Sequence, residues 1–298
     1  MEIIRIEVPF PKEYGSGAPT NAYLLKGDKK ILIDSGVDSG ENRDHIKRAL
    51  DGAGVWGPEI ILVTHGHHDH FGLAPYIQDE TGAKIFIPEA DSLAFRDYWA
   101  FTKAWFDEIY ELSVEGGFDR IELDEVNVLL SMAADFIPKP SSFSTFRDLD
   151  LTLDGIPVRS IPLPGHTMGS TGYAVGNAVF SGDAALEGRA NVVNLTEEFA
   201  SLHRLKEFES VYAGHGRTTL ARADIEGVQA HFTARTNQLL RMTVEGKTLK
   251  EIVQELHGTI TEKNFVRRLI PVKQTIAYLR YLERRGRMTK RGNKWFSI

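Results

Sequence analysis

The stretch Glu59-Ile60-Ile61-Leu62-Val63-Thr64-His65-Gly66-His67-His68-Asp69-His70 runs from apolar residues straight into four histidines and an aspartate. Neutral imidazole and carboxylate oxygen are ligands that suit zinc, iron or manganese. Four of the ten histidines fall within six residues, a concentration that a solvated polar loop rarely reaches. A purification tag would lie at a terminus, whereas this tract is internal and follows a strand pattern. Along an extended chain His65 and His67 face one side, and Asp69 and His70 follow on the turn into Phe71-Gly72-Leu73. Two offset ligand pairs serve two adjacent ions better than one, so a dinuclear site is the first expectation. His68 stands between ligands and is expected to face solvent or to pack behind them.

The element that must present these groups is a buried strand over residues 59–64, a β-branched run after Pro58 whose polar end projects from a sheet edge. Three later apolar runs end in similar fashion. They deliver Pro164-Gly165-His166-Thr167-Met168-Gly169-Ser170, Phe180-Ser181-Gly182-Asp183 and Ala213-Gly214-His215-Gly216.

The spacing His65-x-His67-x-Asp69-His70, with these three motifs in this order, resembles the metallo-β-lactamase superfamily of metal-dependent hydrolases. The resemblance implies an α/β fold, the αββα sandwich. One metal would be held by His65, His67 and His166, the other by Asp69, His70 and His215, with Asp183 bridging. It further implies that Asp34, in Ile33-Asp34-Ser35-Gly36, sits behind the ligands; as a residue alone, Asp34 reads equally well as a cap of the next helix or turn. The superfamily contains lactamases, thioesterases, lactonases, phosphodiesterases and nucleases, so no substrate follows from it.

The chain has no cysteine, which removes disulfides and thiolate ligands and leaves His and carboxylates as the ligand set. That fits a reducing compartment. The N-terminus alternates like a strand without the pattern of a signal peptide, and no apolar run approaches the roughly 20 residues that span a bilayer. A cytoplasmic protein without membrane contact is expected. The net charge of −6 hides an asymmetry: residues 1–223 carry 20 Lys+Arg against 34 Asp+Glu, and residues 224–298 carry 15 against 7. Two domains are expected, a catalytic one over 1–223 and a basic module over 224–298.

Hairpin and βαβ patterns fill residues 20–87, with a helix over 41–53, a short helix from Leu73 to Glu80 and a strand from Ala83 to Ile87. A Gly/Pro-rich loop from Pro9 to Pro19 precedes them. Residues 91–147 break the pattern. Asp91 is positioned to cap a helix carrying Phe95, Tyr98, Trp99, Phe101, Trp105, Phe106 and Tyr110, and a second helical run covers about Asp124 to Phe136. This insertion is read either as packing against the sandwich or as a lid over the substrate entrance. The β pattern returns at Leu149, a helix is expected over Leu202 to Phe208, and Thr167 and Ser170 are expected to brace the His166 loop. Three helices and a hairpin around Arg291-Gly292-Asn293 complete the tail, which resembles the winged-helix appendage of many hydrolases of this fold.

Two divalent ions about 3.5–4 Å apart lower the pKa of a shared water from about 15.7 toward 7, so the expected nucleophile is a metal-bridging hydroxide. Asp69 and His70 are then the catalytic positions as well as ligands, with zinc expected and iron or manganese as alternatives. The leading reading is hydrolysis of a small thioester, lactone or other carboxylic ester. The basic tail keeps a phosphodiesterase or endoribonuclease with a nucleic-acid partner as the alternative, and a homodimer contact as another use of those charges. A non-catalytic metal-binding protein of the same fold is the third reading, against which the intact ligand set counts.

Overall fold

The computed structural model describes residues 1–12, 17–187, 191–258 and 265–298; the loop expected over Pro9–Pro19 lies partly outside the described residues. Strands β1 (Glu2–Val8), β2 (Thr20–Lys26) and β3 (Lys30–Ile33) pair antiparallel. Helix α1 (Gly40–Gly52) follows, capped by the Ser39 side chain on Asn42 N, with Ile46 and Leu50 facing inward. Next come β4 (Ile60–Leu62), the one-turn α2 (His68–Phe71), α3 (Ala74–Thr81) and β5 (Lys84–Pro88). Between β5 and β6 (Ser144–Phe146) lie α4 (Leu93–Arg96), α5 (Tyr98–Glu115) and α6 (Arg120–Ala134). The first sheet is ordered β1 to β6, and β3 to β6 run parallel.

The second sheet contains β7 (Asp150–Leu153), β8 (Ile156–Pro162), β9 (Thr171–Val175), β10 (Ala178–Gly182), β11 (Ser210–Ala213) and β12 (Thr219–Leu220). Helix α7 (Leu195–Leu205) crosses over between β10 and β11, the parallel pair of this sheet. The tail is α8 (Arg222–Met242), β13 (Lys247–Thr248), α9 (Leu249–His257), α10 (Phe265–Arg284), β14 (Met288–Arg291) and β15 (Lys294–Ser297). Its three strands make a small sheet in the order β13, β15, β14.

Alternation along the strands builds the layers. Tyr23, Leu25, Ile31, Ile33 and Leu62 meet Leu153, Val158, Tyr173, Val175 and Phe180 between the two sheets. Their neighbours Leu24, Leu32 and Ile61 point the other way and pack on Ile46, Leu50 and Ile77 of the helices. Both faces of β2 and β3 are covered, which is why these strands read as continuous apolar runs. Full burial of each large side chain contributes about 1.5–3 kcal/mol. On the outer face of the second sheet, Val179 and Val211 share one cluster with Phe232 of α8, Ile252 of α9 and Ile276 of α10, so the tail helices complete the core.

Several boundaries differ from expectation, each for a local reason. The cap of the aromatic helix is Asp97, whose side chain accepts from Ala100 N, and not Asp91, which is engaged elsewhere. Helix α6 starts at Arg120 rather than Asp124 because Asp119 caps it, and α7 starts at Leu195 rather than Leu202 because Asn194 does. Residues 144–146, read as part of the insertion, form the edge strand β6, too short to show a period of two. Among the described residues, no helix is long and apolar enough to cross a membrane.

Candidate metal centre

Each of the seven sequence-picked residues follows a strand, and the two sheets bring them to one mouth. His65, His67, Asp69 and His70 come after β4, His166 after β8, Asp183 after β10 and His215 after β11. Three groups of ligand atoms, each within 4.8 Å of one another, result: His65, His67 and His166; His65, His70 and Asp183; Asp69, His70 and His215. Asp183 reaches toward both ends, with Oδ2 3.6 Å from His166 Nε2 and 3.5 Å from His215 Nε2, and Oδ1 3.3 Å from His70 Nε2.

The hydrogen bonds behind the rings orient them. Asp34 ends β3 in a left-handed conformation (φ 57°) that a non-glycine residue adopts at some cost. Its Oδ1 accepts from Thr64 N at 2.8 Å and its Oδ2 from Thr64 Oγ1 at 2.8 Å, and Oδ2 also lies 2.8 Å from His70 Nδ1. Asp34 therefore braces a ligand rather than capping a helix. With the Thr64 hydroxyl proton committed to Asp34, Thr64 Oγ1 accepts from His65 Nδ1 at 3.0 Å. His166 Nδ1 donates to Asn191 O at 2.6 Å, and His215 Nδ1 to Pro19 O at 2.8 Å. In the neutral rings the remaining lone pairs, on Nε2, point inward. The network thus holds four imidazoles in the tautomer a metal requires.

What converges at the centre fits cations. His67 Nδ1 lies 3.0 Å from His65 Nε2 and 2.9 Å from His166 Nε2, and burial pushes all three rings below the usual histidine pKa. Three nitrogens thus meet with at most one proton among them. Asp183 Oδ1 is buried, with His70 Nε2 facing it at 3.3 Å. At the other end burial pulls His70 and His215 down, but the carboxylates outweigh it: Asp183 and Asp34 hold His70 well above its usual value, and Asp183 and Asp69 raise His215 to about 9. The bare cluster needs positive charge between its carboxylates, from protons or from metal.

Close backbone approach is visible at two glycines. A Cβ on Gly214 would stand 2.4 Å from Asp183 Oδ1, and one on Gly169 2.4 Å from Asp91 Cγ. Asp91, expected as a helix cap, is buried and ties the two histidine loops together. Its Oδ2 accepts from Gly66 N at 2.8 Å and Thr167 Oγ1 at 2.7 Å, and its Oδ1 from Gly169 N at 2.9 Å. Thr167 and Ser170 brace the His166 loop as expected, with Thr167 N donating to Ser170 Oγ at 3.0 Å. His68 differs from expectation: its Nδ1 lies 3.1 Å from Tyr98 OH, on the wall of a cavity.

That cavity, about 580 Å³, opens beside His67 and Asp69. Its walls include Tyr98, Phe101 and Trp105 of α5, Leu130 of α6, and Ile270 and Lys273 of α10. Trp99 does not line the cavity; it packs with Phe106, Leu123 and Val126, a cluster that Trp105 also joins. Lys273 is a site residue that the sequence reading passed over, although a lysine among Leu269, Ile276 and Ala277 on one apolar helix face is a visible anomaly.

Comparison with known proteins agrees with this geometry. Residues 15–222 match the model of the metallo-beta-lactamase superfamily. "Probable metallo-hydrolase YqjP" of Bacillus subtilis is 27% identical, over 95% of this chain and 92% of its own length. A metallo-beta-lactamase family protein from Thermus thermophilus superposes with a TM-score of 0.80 at 25% identity, covering 99% of this chain and 98% of that one. A beta-lactamase domain protein from Burkholderia ambifaria shares the fold at a TM-score of 0.80 and 19% identity, over 99% and 92%. Because the matched span crosses both sheets and includes every strand end that carries a candidate ligand, the chain belongs to the metallo-β-lactamase superfamily of metal-dependent hydrolases.

Proposed function

We propose that this hydrolase cleaves small thioesters, lactones or other carboxylic esters with an apolar acyl part. The observation that carries the reading is the aromatic-walled cavity beside Asp69. His65, His67 and His166 would hold one divalent ion and Asp69, His70 and His215 the other, with Asp183 shared, and zinc suits the all-nitrogen triad best. When bound, such ions supply Lewis acidity to water and to the scissile carbonyl. The chain's own part is to fix the ring tautomers through Asp34, Thr64, Asn191 and Pro19, and to close the site with α5 and α6 as a wall or lid. Parallel assays of an octanoyl thioester, a lactone and bis-p-nitrophenyl phosphate on protein of defined metal content test this. Preference for the phosphodiester overturns it.

Loading also has a proton signature. His70 lies well above its usual pKa and His215 at about 9 without metal, so both carry protons at pH 7. A cation that takes their lone pairs must release those protons. Apparent metal affinity is therefore expected to rise with pH from 7 toward about 9. Calorimetric loading in two buffers of different ionisation enthalpy measures the release, and affinity independent of pH would contradict the ligand roles of His70 and His215.

The tail, three helices and a hairpin, reads as a winged-helix-like unit that docks on the catalytic body. Arg280 pairs with Glu108 and Lys290 with Glu115, both on the acidic α5, while Arg285 and Arg291 lie over Tyr281 and Phe296. Neutralising Arg284, Arg285, Arg287 and Arg291 together is expected to leave ester hydrolysis nearly intact, with little RNA affinity to lose. RNA binding that weakens steeply with salt, and whose slope flattens in the four-Arg variant, would favour the nuclease reading instead.

A further inference from the structure

Lys273 projects from α10 into the cavity that the metal-centre residues open onto. It is 9% exposed, and its Nζ stands 4.4 Å from the ring centroid of Trp105. Among the described residues that line the cavity it is the only lysine or arginine. No carboxylate of the described residues lies within ion-pairing distance of it. The two nearby acids are engaged elsewhere: Glu108 pairs with Arg280, and Asp91 accepts from Gly66, Thr167 and Gly169.

A buried ammonium with only an aromatic face for a partner is a costly arrangement, and replacing it by an apolar side chain would ordinarily stabilise the helix packing. Burial lowers the Lys273 pKa to about 8 against the opposing pull of Glu108 and Asp91, so the group keeps its charge at neutral pH. Its field reaches the site, since it depresses the pKa of both His67 and His166. Around Lys273 the wall carries Phe101, Trp105, Leu130, Ile137 and Ile270, which suit a hydrocarbon chain. The other charged groups on it, Asp38 and Asp69, are carboxylates, which leaves Lys273 as the one fixed cation among the described lining residues.

We propose that Lys273 is an anion-recognition residue, and that the substrate of this hydrolase is an amphipathic ester or thioester with an acidic group placed away from the scissile bond. The substrate half of the proposal rests on the ester reading above; the anion half does not. The acid of the substrate takes the place of the missing carboxylate partner, and the apolar part lies along the aromatic wall. A charge-assisted contact of this kind in a dry cavity changes affinity by about 10- to 100-fold.

The test uses the full, metal-loaded chain in two arms. In the first, calorimetry compares 1-octanesulfonate, a poor metal ligand, with neutral 1-octanol, on wild type and on Lys273→Met, whose thioether keeps the packing on Trp105. Wild type is expected to prefer the sulfonate by roughly tenfold or more, Lys273→Met to lose the preference, and Lys273→Arg to keep most of it. No preference in wild type, or one that survives Lys273→Met, overturns the proposal. In the second arm, a thioester with a terminal carboxylate is compared with its terminal amide. Lys273→Met is expected to raise KM for the acid alone, leaving kcat and metal content unchanged, and an equal KM change for both substrates counts against the role. If neither thioester turns over while the sulfonate preference holds, the ester reading fails and the anion site stands.

Discussion

Purified from zinc-supplemented cells, the protein is expected to carry close to two divalent ions per chain, and His67→Ala and Asp183→Ala to carry fewer. The two substitutions differ in kind. His67 belongs to one cluster, so its loss should empty one position and leave Asp69, His70 and His215 together. Asp183 reaches His166 on one side and His70 and His215 on the other, so its loss should weaken both positions and remove the charge that offsets them. Activity should fall on the order of a thousandfold or more in Asp183→Ala, which weakens both positions and with them the acidification of water, a drop in pKa from about 15.7 to about 7. It should fall by less in His67→Ala, which leaves one position able to acidify water. Asp34→Ala gives a graded control: it touches His70 through one hydrogen bond and should cost metal affinity about 10- to 100-fold without abolishing binding. Elemental analysis with circular dichroism reads all three. Two ions retained in folded His67→Ala and Asp183→Ala would sink the ligand assignment.

The sequence was most legible where chemistry is packed into short spacings. His65, His67, Asp69 and His70 lie within one strand end and one helical turn, and the Gly-rich endings around His166, Asp183 and His215 mark turns that must bring backbone close to ligands. The continuous apolar run of β4 likewise announced a buried strand. Legibility failed where a residue's role depends on a distant partner. Nothing in the neighbourhood of Asp91 says that its carboxylate will hold Gly66, Thr167 and Gly169, because those donors arrive from two other loops. His68 looked like a spacer because Tyr98, its partner, comes from the insertion. Lys273 was absorbed into a count of basic tail residues, and only the packing of α10 against α5 separates it from Lys290 and Arg280, which meet acids.

Trp105→Ala is expected to raise KM for a neutral octanoyl thioester far more than Trp99→Ala does, with metal content unchanged in both. The two tryptophans share α5 and both pack on the cluster of Phe106, Leu123 and Val126, but only Trp105 also lines the cavity beside the metal centre. Removing one indole face that covers about 80 Å² of substrate forfeits roughly 2 kcal/mol at about 25 cal/mol per Å², or about 30-fold in KM. A neutral substrate keeps the lost partner of Lys273 out of the comparison, since that lysine then has no anion to hold. Trp99→Ala opens a gap between α5 and α6 and should lower the melting temperature while leaving KM close to wild type. Steady-state kinetics, thermal melts and elemental analysis on the two variants separate the roles. Equal KM changes in both, or none in folded Trp105→Ala, would leave the aromatic helix as packing alone and remove the argument for an apolar acyl group.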